Sequence, residues 1–459
     1  MGSLSSSLWI ASQALDADQG ALDVTSNNIA NQNTPGYSRE VAVLAESAPS
    51  VDGNLTFGNG VELQQVQSVT DQVLQLQIAE QNQQQGNAQA QYTALQQVQT
   101  PFASSTQGIG TDITAFFNSI SQLSTNPTSI TDRQAVLTSA QTLASDFNST
   151  EQNLDTVQSG LNQSVAQNVT QINNLTQQIA QLNKQVGAMQ AAGQDPGSLG
   201  DQETQLIQQL SQLTNVNQIQ TEHGLTLTTG NGTPLVVGGQ SFALQTSTGA
   251  SGMTDVYSQG QDITSTLQGG QLGGNLNVRD NAIPGVLSQL DSLASQFATN
   301  MNAAQASGYD LNGNAGQPLF SDTSGAGAAG SLKVAITDPN LIAASSDGTQ
   351  GSNGNVANLL AVQNQTLSNG ETPLNSYASL VAQTGSLTSQ AETEVNASTS
   401  SLTQLNNQLG AVSGVNLDEE TTNLMNYQRA YEAAARVVTT VDDLTQSVLD
   451  MGSGVTAAP

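Results

Sequence analysis

Apolar residues recur every seven positions in one stretch of the chain, and this repeat constrains the fold more than any other feature. Between residues 154 and 190, one position of the repeat holds branched aliphatic residues, namely Val165, Ile172, Ile179 and Val186. A second position holds leucine or methionine with Asn168 as the one polar member, namely Leu161, Leu175, Leu182 and Met189. Such a repeat keeps one seam on one side of an α-helix, so it predicts a helix about 50 Å long with a partner along it.

A chain-breaking run and a second apolar stripe follow this seam. Residues 193–197 read Gly-Gln-Asp-Pro-Gly, and Leu206, Leu210 and Leu213 come next. This order predicts an antiparallel helical hairpin. The Gln-rich stretch over 70–100 is also predicted to be helical, because apolar residues keep recurring in it. The alternative for such a composition is a disordered, aggregation-prone tract.

The pattern changes to a period of two after the hairpin. Residues 224–229 alternate between apolar and polar, a Gly-Asn-Gly-Thr-Pro turn follows at 230–234, and further short apolar runs come after it. These features predict a small β-rich portion over 216–278. Helices are predicted to return around 286–297 and over 356–409, with a Gly-rich loop between them.

Both ends of the chain are predicted to be helical and to pair with each other. The first helix carries an apolar residue at every seventh position, namely Leu8, Leu15, Leu22 and Ile29. It is predicted to end at Thr34-Pro35-Gly36, because proline restricts the residue before it and glycine permits a turn. The last helix is predicted from near Asn416 to about Met451, and Asn416 followed by Glu419 resembles a capping box. Its apolar residues fill two positions of the repeat and include Leu424, Tyr427, Tyr431, Val438 and Val441.

Together these elements predict a mainly α fold with a smaller β-rich portion. The terminal helices form a discontinuous α-helical coiled-coil domain over residues 1–45 and 412–459. An elongated helical-bundle domain over 46–215 and 279–411 is inserted into it, and the β-rich portion occupies 216–278.

Charge and composition exclude several classes of function. The net charge is −29 and only seven residues are Lys or Arg, so neither nucleic acid nor an anionic membrane surface is expected as a partner. The chain has no run of about 18 apolar residues, so no membrane-spanning segment is predicted. The absence of cysteine excludes disulfides and thiolate chemistry. The first residues lack the basic and apolar regions of a secretory signal peptide, so we expect no cleaved leader.

No group of residues predicts catalysis, a cofactor or a metal. His223 is the only histidine, and we interpret it as a surface or strand residue rather than a member of a triad or a zinc site. The segment from Asp310 departs from a calcium loop, because Ala315 and Ser321 stand where glycine and glutamate are required. It therefore predicts a polar turn.

Two further clusters also have structural interpretations. The run Gly269–Gly274 lacks the phosphate-loop and dinucleotide fingerprints, so it predicts a flexible crossing or a close approach of two backbones. The carboxylates at 418–420 lie at the start of a predicted helix, where negative charge is favoured. We therefore expect no enzyme activity.

Two segments carry a family resemblance. The first contains Asn-Ile-Ala-Asn-x-Asn-Thr-Pro-Gly-Tyr and resembles the amino-terminal signature of flagellar rod, hook and hook-associated proteins; its motif residues are Asn28, Asn31, Asn33, Pro35, Gly36 and Tyr37. The second, residues 413–437, resembles the carboxy-terminal helix of the hook-associated protein 1 family of hook–filament junction proteins. Between them, Leu272-Gly273-Gly274 with Arg279, and the turn at 308–310 leading to Pro318-Leu319-Phe320, are similar to that family.

The resemblance implies a secreted structural subunit located in the bacterial flagellum, outside the cell, at the hook–filament junction. The implied partners are other copies of the chain in a ring, the hook protein, the second hook–filament junction protein and an export chaperone. The residues that we expect at the assembly interface are Leu8, Leu15, Leu22, Ile29, Leu424, Tyr427, Tyr431, Val438 and Val441. Larger family members carry an outer β-domain after the Pro-Leu-Phe region. The short run at 321–327 here predicts that this domain is reduced or absent.

Two alternatives stay open from the sequence. One is another axial flagellar subunit, namely a hook, rod or second junction protein. The other is a secreted enzyme, such as a cell-wall hydrolase fused to an axial body, which requires a catalytic cluster that the sequence does not offer. Both termini are predicted to be largely disordered in the isolated monomer, because one thin seam cannot offset the entropy of ordering.

Overall fold

A computed structural model describes residues 2–52, 55–102, 108–221, 224–321 and 324–453 of the chain. It confirms a mainly α fold with a small β portion. The helices, in chain order, are α1 (Gly2–Asn31), α2 (Gln72–Gln99), α3 (Ile109–Thr125), α4 (Ile130–Ala191), α5 (Ser198–Leu213), α6 (Gly270–Asn277), α7 (Ile283–Ala306), α8 (Ala328–Ser331), α9 (Val356–Ala361), α10 (Pro373–Ser413) and α11 (Leu417–Ser453). His223 lies outside the described residues.

The strands are short and pair antiparallel. They are β1 (Glu40–Glu46), β2 (Ser50–Asp52), β3 (Leu55–Phe57), β4 (Val61–Ser68), β5 (Asn217–Thr221), β6 (Gly224–Thr228), β7 (Pro234–Val237), β8 (Gln240–Ser241), β9 (Leu244–Thr248), β10 (Thr254–Ser258) and β11 (Gln261–Asp262). β1 pairs with β4 and β2 pairs with β3, which makes a ribbon near the amino terminus. β5 to β8 form a meander, and β10 lies between β9 and β11. The last described strand, β11, ends at Asp262.

The long helix α4 joins two hydrophobic cores. It has 62 residues, which corresponds to about 93 Å, because it begins well before the predicted seam. Its first half packs in a core with α3 and α7. Four phenylalanines meet edge to face there with ring centroids 5.5–6.0 Å apart, namely Phe116, Phe117, Phe297 and Phe320.

The second half of α4 confirms half of the predicted seam. The first position of the repeat is buried throughout, at Val165, Ile172, Ile179 and Val186. The second position is buried at Leu161 but only half-buried at Leu175, Leu182 and Met189. The reason is that α4 does not meet a single helix, because α5 covers one side and β-strands cover another. Thr176 and Asn183 are therefore drawn into the contact.

Asparagine side chains on α4 fasten the β-rich portion to the helix. Asn183 Nδ2 donates to the Gly238 carbonyl at 2.9 Å, and its Oδ1 accepts the Leu225 N–H at 3.0 Å. Asn173 does the same with the backbone of Leu244, at 2.8 Å in both directions. Each amide satisfies backbone groups as a neighbouring strand would, so the sheet is fixed to α4 by hydrogen bonds as well as by apolar contact.

Two predictions about polar and glycine-rich segments are resolved by the structure. Asp310 Oδ1 accepts the N–H groups of Asn312 and Asn314 at 2.8 Å each, which confirms a polar turn. The glycine-rich run is not a flexible crossing, because Gly270 begins α6. A close approach of backbones is confirmed, since a Cβ on Gly274 would lie 2.5 Å from the Asn87 carbonyl oxygen of α2.

The terminal helices pair as predicted. Asn28, near the end of α1, bonds to Glu420, near the start of α11, and the two helices then pack along their length in antiparallel directions. The β1–β4 ribbon packs against α1 as well. The buried apolar residues of α1 are mostly small, namely Ala11, Ala17, Ala21 and Val24. Among the described helices, none combines the length and apolar character that crossing a bilayer requires.

Candidate functional site

Asn28 is the centre of a hydrogen-bonded cluster that joins both ends of the chain. Its side chain is 1% exposed. Nδ2 donates to the Glu40 carbonyl at 2.8 Å and to Glu420 Oε2 at 3.1 Å. Oδ1 accepts the Glu40 N–H at 2.9 Å and the Tyr37 hydroxyl at 2.8 Å. One amide therefore connects α1, the start of β1 and the start of α11, with every bond buried or partly buried.

The turn that follows α1 is shaped by the neighbouring motif residues. Asn31 Nδ2 donates to the Asn27 carbonyl at 3.1 Å, and Asn31 Oδ1 accepts the Thr34 hydroxyl at 3.1 Å. The Tyr37 N–H then donates to the Thr34 carbonyl at 3.2 Å. These local bonds reverse the chain so that Tyr37 points back at Asn28. The Asn33 side chain is exposed.

Pro35 and Gly36 place this turn against the helical hairpin. The Pro35 carbonyl accepts a hydrogen bond from the Gln205 side chain of α5. Gly36 has φ +76°, and a Cβ there would lie 2.0 Å from Gln205 Nε2. Glycine is favoured at this position by the positive φ, and any larger residue would also displace the Gln205 side chain.

Two residues after the motif bring further segments into the cluster, which we call the motif hub (residues 27–40, 201–205 and 413–420). Ser38 donates to both carboxylate oxygens of Asp201, from its N–H at 2.8 Å and its hydroxyl at 2.6 Å. Arg39 pairs with Glu419 at 2.7 Å, and its N–H donates to the Ser413 carbonyl at 2.9 Å. The hub therefore connects the amino terminus, the tip of the hairpin and the carboxy-terminal helix.

The start of α11 departs in one respect from the predicted capping box. Asn416 caps the helix as expected, because its Oδ1 accepts the Asp418 N–H at 3.0 Å. Glu419 does not complete the box, since its carboxylate pairs with Arg39. Residues 418–420 lie in the first turn of α11, as predicted, and Glu419 and Glu420 also hold α11 to the motif segment.

Burial raises the pKa of several acids in the hub. It raises the pKa of the Tyr37 hydroxyl, which Glu40, Asp201 and Glu420 raise further, so this hydroxyl stays a hydrogen-bond donor. Burial also raises the pKa of Asp201, although the two bonds from Ser38 oppose the effect. These shifts follow from removing charge from water.

Glu203, in the α5 segment of the hub, predicts a pH-dependent stability. It is 8% exposed and lines a polar cavity of about 390 Å³, and burial raises its pKa from 4.5 to about 7. The folded chain then binds more protons than the unfolded chain, so the free energy of unfolding falls as pH rises from about 4.5 to about 7. We expect Glu203→Gln to stabilise the protein by roughly 2 kcal/mol at pH 8 and to change little at pH 4.

Urea unfolding at both pH values measures this effect. Burial and the neighbouring Asp146 also raise the pKa of Asp112 to about 7. Asp112 therefore adds its own pH dependence to the free energy of unfolding, so the Glu203→Gln variant is compared with the unchanged protein. The control is Glu80→Gln, which removes an exposed carboxylate and should leave the pH profile unchanged. Equal stability of the Glu203 variant and the unchanged protein at pH 8 would contradict the prediction.

The structure separates the two predicted assembly stripes. Leu8 is exposed, and Leu15, Leu22 and Ile29 are half-buried beside the helix contact. On α11, by contrast, the predicted stripe faces α1 of the same chain, with Val441 buried, Tyr431 exposed, and the rest half-buried, namely Leu424, Tyr427 and Val438. These α11 residues therefore contribute first to the pairing inside one copy.

A second apolar stripe on α11 has no counterpart in the sequence analysis. Val437, Leu444 and Met451 recur every seven residues and are 46–65% exposed. Trp9 of α1 is 47% exposed. We call this set, with Leu8, the outer apolar residues of the terminal pair. Large exposed apolar side chains concentrated on one helix pair indicate a surface that another protein covers.

In the part of the chain that the structure describes, no group of three or more His, Cys, Asp or Glu side chains could hold a metal ion. The features that distinguish this molecule are the motif hub and the exposed face of the terminal helices.

Family profiles match the chain in three places. The helical domain of the flagellar hook-associated protein FlgK matches residues 95–320. The flagella basal body rod protein family matches residues 8–37, and the C-terminal region of the flagellar basal body rod FlgEFG proteins matches residues 410–451. The two terminal matches contain most of α1, the motif and nearly all of α11.

Curated relatives and one solved structure are similar over most of the chain. Flagellar hook-associated protein 1 of Bacillus subtilis (strain 168) is 30% identical over 505 residues, covering 98% of this chain and 98% of that protein. Flagellar hook-associated protein 1 of Escherichia coli (strain K12) is 27% identical over 547 residues, covering 98% and 100%. The flagellar hook junction protein FlgK from Burkholderia pseudomallei has a similar fold, with a TM-score of 0.67 and 21% identity, over 73% of this chain and 100% of that chain.

Proposed function

This chain belongs to the family of flagellar hook-associated protein 1, and from this membership we propose that it is a structural subunit of the bacterial flagellum at the junction between hook and filament. The observation that carries the proposal is the terminal helix pair. The motif hub holds α1 and α11 together, while their outer apolar residues stay exposed. A subunit that must join copies of itself along an axis requires such a rigid pair with an uncovered face.

The finer parts of the proposal concern partners and export. We propose that copies form a ring through α1 and α11, with the hook protein on one side and the second hook–filament junction protein on the other. The chain is then secreted through the flagellum and works outside the cell. An export chaperone would cover the terminal pair before assembly, because its exposed apolar side chains favour aggregation. No enzyme activity is part of this proposal.

We also propose the domain division predicted from the sequence, with one extension. The terminal domain over 1–45 and 412–459 gains the whole β1–β4 ribbon, because this ribbon packs on α1. Beyond the Pro-Leu-Phe region, the described residues 324–327 precede α8, whose Ala329 and Gly330 N–H groups donate to Asp291 and Glu151. This supports the expectation that the outer β-domain is reduced or absent.

Deletion of the gene in the source bacterium tests the function. We expect hooks without filaments and filament protein released into the medium, with immunogold labelling of the chain at the junction in the parent strain. Missing hooks would favour a rod or hook subunit instead. Filaments of normal length and number in the deletion strain would contradict a junction role.

The isolated monomer should be ordered at the hub and open at the far end of the terminal pair. The hub end has buried hydrogen bonds, whereas residues 4–20 and 430–451 bury few side chains, namely Ala11, Ala17 and Val441. We expect slow hydrogen exchange within 24–40 and 416–424 and rapid exchange at the far ends. The sequence alone predicts disorder throughout both termini of the monomer, and we now expect it only at their far ends. Slow exchange along the whole of α11 in the monomer would contradict it.

A further inference from the structure

Basic side chains are so few that each can be assigned. Three arginines serve the chain's own fold, through an ion pair with Glu419 or through backbone carbonyls, namely Arg39, Arg133 and Arg279. The other four bases are exposed and make no ion pair within the described ranges, namely Lys184, Lys333, Arg429 and Arg436. Two of these four lie on α11. In a chain with net charge −29, they are the bases that the terminal pair offers to a neighbour.

Arg429 and Arg436 share one side of α11. They are seven residues apart, which places them about 10.5 Å apart along the axis. Tyr427 and Ala434 are half-buried on the side of α11 that faces α1. Each arginine comes two positions after one of these residues. Two residues correspond to about 200° around a helix. Both arginines therefore lie on the face directed away from α1 of the same copy.

Helix α1 carries a matching pair of acids. Asp16 and Asp23 are also seven residues apart, both are exposed, and neither makes an ion pair among the residues described. Asp23 follows the buried Ala21 by two positions, about 200° around the helix, so this column lies away from that buried side of α1. α1 has no basic residue. The two helices of one copy thus present equally spaced charges of opposite sign on their outer sides.

We propose that Asp16 and Asp23 of one copy pair with Arg436 and Arg429 of the next copy, and that these ion pairs set the axial register between neighbouring terminal helices. The inference rests on the proposed function, because it requires copies side by side around an axis parallel to the helices. A rotation about that axis preserves helix direction. α1 of one copy then runs antiparallel to α11 of the next, which gives the reversed order of the pairs.

The charge sequence along α11 favours this register over its neighbours. In the proposed register both pairs are attractive. A shift by seven residues in one direction places Asp16 against Asp443 and leaves one attractive pair. The opposite shift places Asp23 against Thr422 and again leaves one. Polar and charged pairs that discriminate between registers are a known device where apolar seams alone would slide.

Charge reversal with rescue tests the pairing in cells. A single exposed ion pair contributes little, but the proposed pairs recur at every contact of the ring. We expect Arg429→Asp with Arg436→Asp to lower incorporation at the junction by about tenfold or more. Adding Asp16→Arg and Asp23→Arg to that chain should restore incorporation to near the parent level. The control is Lys184→Asp with Lys333→Asp, which makes the same change of charge away from the terminal pair.

Cysteine crosslinking tests the register, because the chain has no cysteine of its own. In purified flagella, Asp16→Cys with Arg436→Cys should give crosslinked multimers on mild oxidation. Asp16→Cys with Arg429→Cys is displaced by one repeat and should give none.

Two results would overturn the inference while leaving the junction function intact. One is normal incorporation of the double arginine variant. The other is loss of incorporation that the four-residue exchange does not restore, although that chain folds normally; this would indicate a different partner for the arginines, such as the hook protein. Absence of the unchanged chain from the junction would instead contradict the proposed function itself.

Discussion

Replacing Asn28 with alanine should release α11 from α1 and prevent assembly at the junction. Four hydrogen bonds end on this one side chain, and its loss leaves the Glu420 carboxylate, 3% exposed, without that donor. Removing a partner of buried polar groups costs about 1–3 kcal/mol for each group left unsatisfied. We expect the terminal pair to lose roughly 3 kcal/mol or more of local stability, measured by hydrogen exchange over residues 24–40 and 416–424.

The matched control for Asn28→Ala is Asn33→Ala, a second asparagine of the same motif whose side chain is exposed. It should exchange and assemble like the unchanged protein. The two hydrophobic cores should melt normally in both variants, because neither core includes these residues. Unchanged hydrogen exchange at the hub in Asn28→Ala would show that the hub does not hold the helices together.

Replacing Arg279 with methionine should destabilise the folded chain strongly. The guanidinium is 1% exposed and lies in the π-helical turn Val278–Ala282 between α6 and α7. It donates to Asn162 Oδ1 at 2.9 Å and to the Thr254 carbonyl at 2.7 Å, and it pairs with Asp280 at 2.7 Å. Methionine keeps much of the apolar volume but leaves these acceptors unpaired. We expect a loss of about 3–5 kcal/mol in the free energy of unfolding, measured in urea.

Lys333→Met controls for the removal of a positive charge, because Lys333 is exposed. It should change the free energy of unfolding by less than about 0.5 kcal/mol. Where Arg279→Met causes unfolding of the whole chain, Arg279→Lys provides a second test. A lysine can keep one of the bonds but not the fork of bonds to Asn162, Thr254 and Asp280, so it should be intermediate. A methionine variant as stable as the unchanged protein would contradict this role.

The long helices could be predicted from the sequence because their apolar pattern is local and repeated. The seven-residue spacing from Val165 to Val186 requires a helix whatever its partner is. What covers the other side of that helix is decided by residues far away along the chain. The half-buried Leu175 and the buried Thr176 follow from the packing of α4 between α5 and the strands. No periodicity within α4 could have indicated that arrangement.

The sequence predicted the motif residues of the candidate site but not the residues that contact them. The residues from Asn28 to Tyr37 were visible as a motif, and the turn at Gly36 followed from glycine and proline alone. Ser38, Asp201 and Gln205 were missed, because the contact of Asp201 with Ser38 spans 163 positions of sequence. Asp201 reads in the sequence as an ordinary acid in the first turn of a helix, where negative charge is common.

The apolar residues of α11 lie on two faces that the sequence pattern could not tell apart. An apolar stripe states that a face is covered, but it does not state whether the same copy or a neighbour covers it. The predicted stripe that includes Val441 packs against α1 of the same chain, and Val437, Leu444 and Met451 remain exposed. Only the structure separates the two faces, and it directs the proposal for assembly to the outer one.

Electron cryomicroscopy of the hook–filament junction in intact flagella tests most directly whether these helices join neighbouring copies. We expect a ring of this chain in which α1 and α11 run along the axis and the outer face of one terminal pair touches the next copy, with Asp16 level with Arg436 across the contact. A reconstruction in which each terminal pair touches only its own copy, or projects away from the axis, would contradict the proposal.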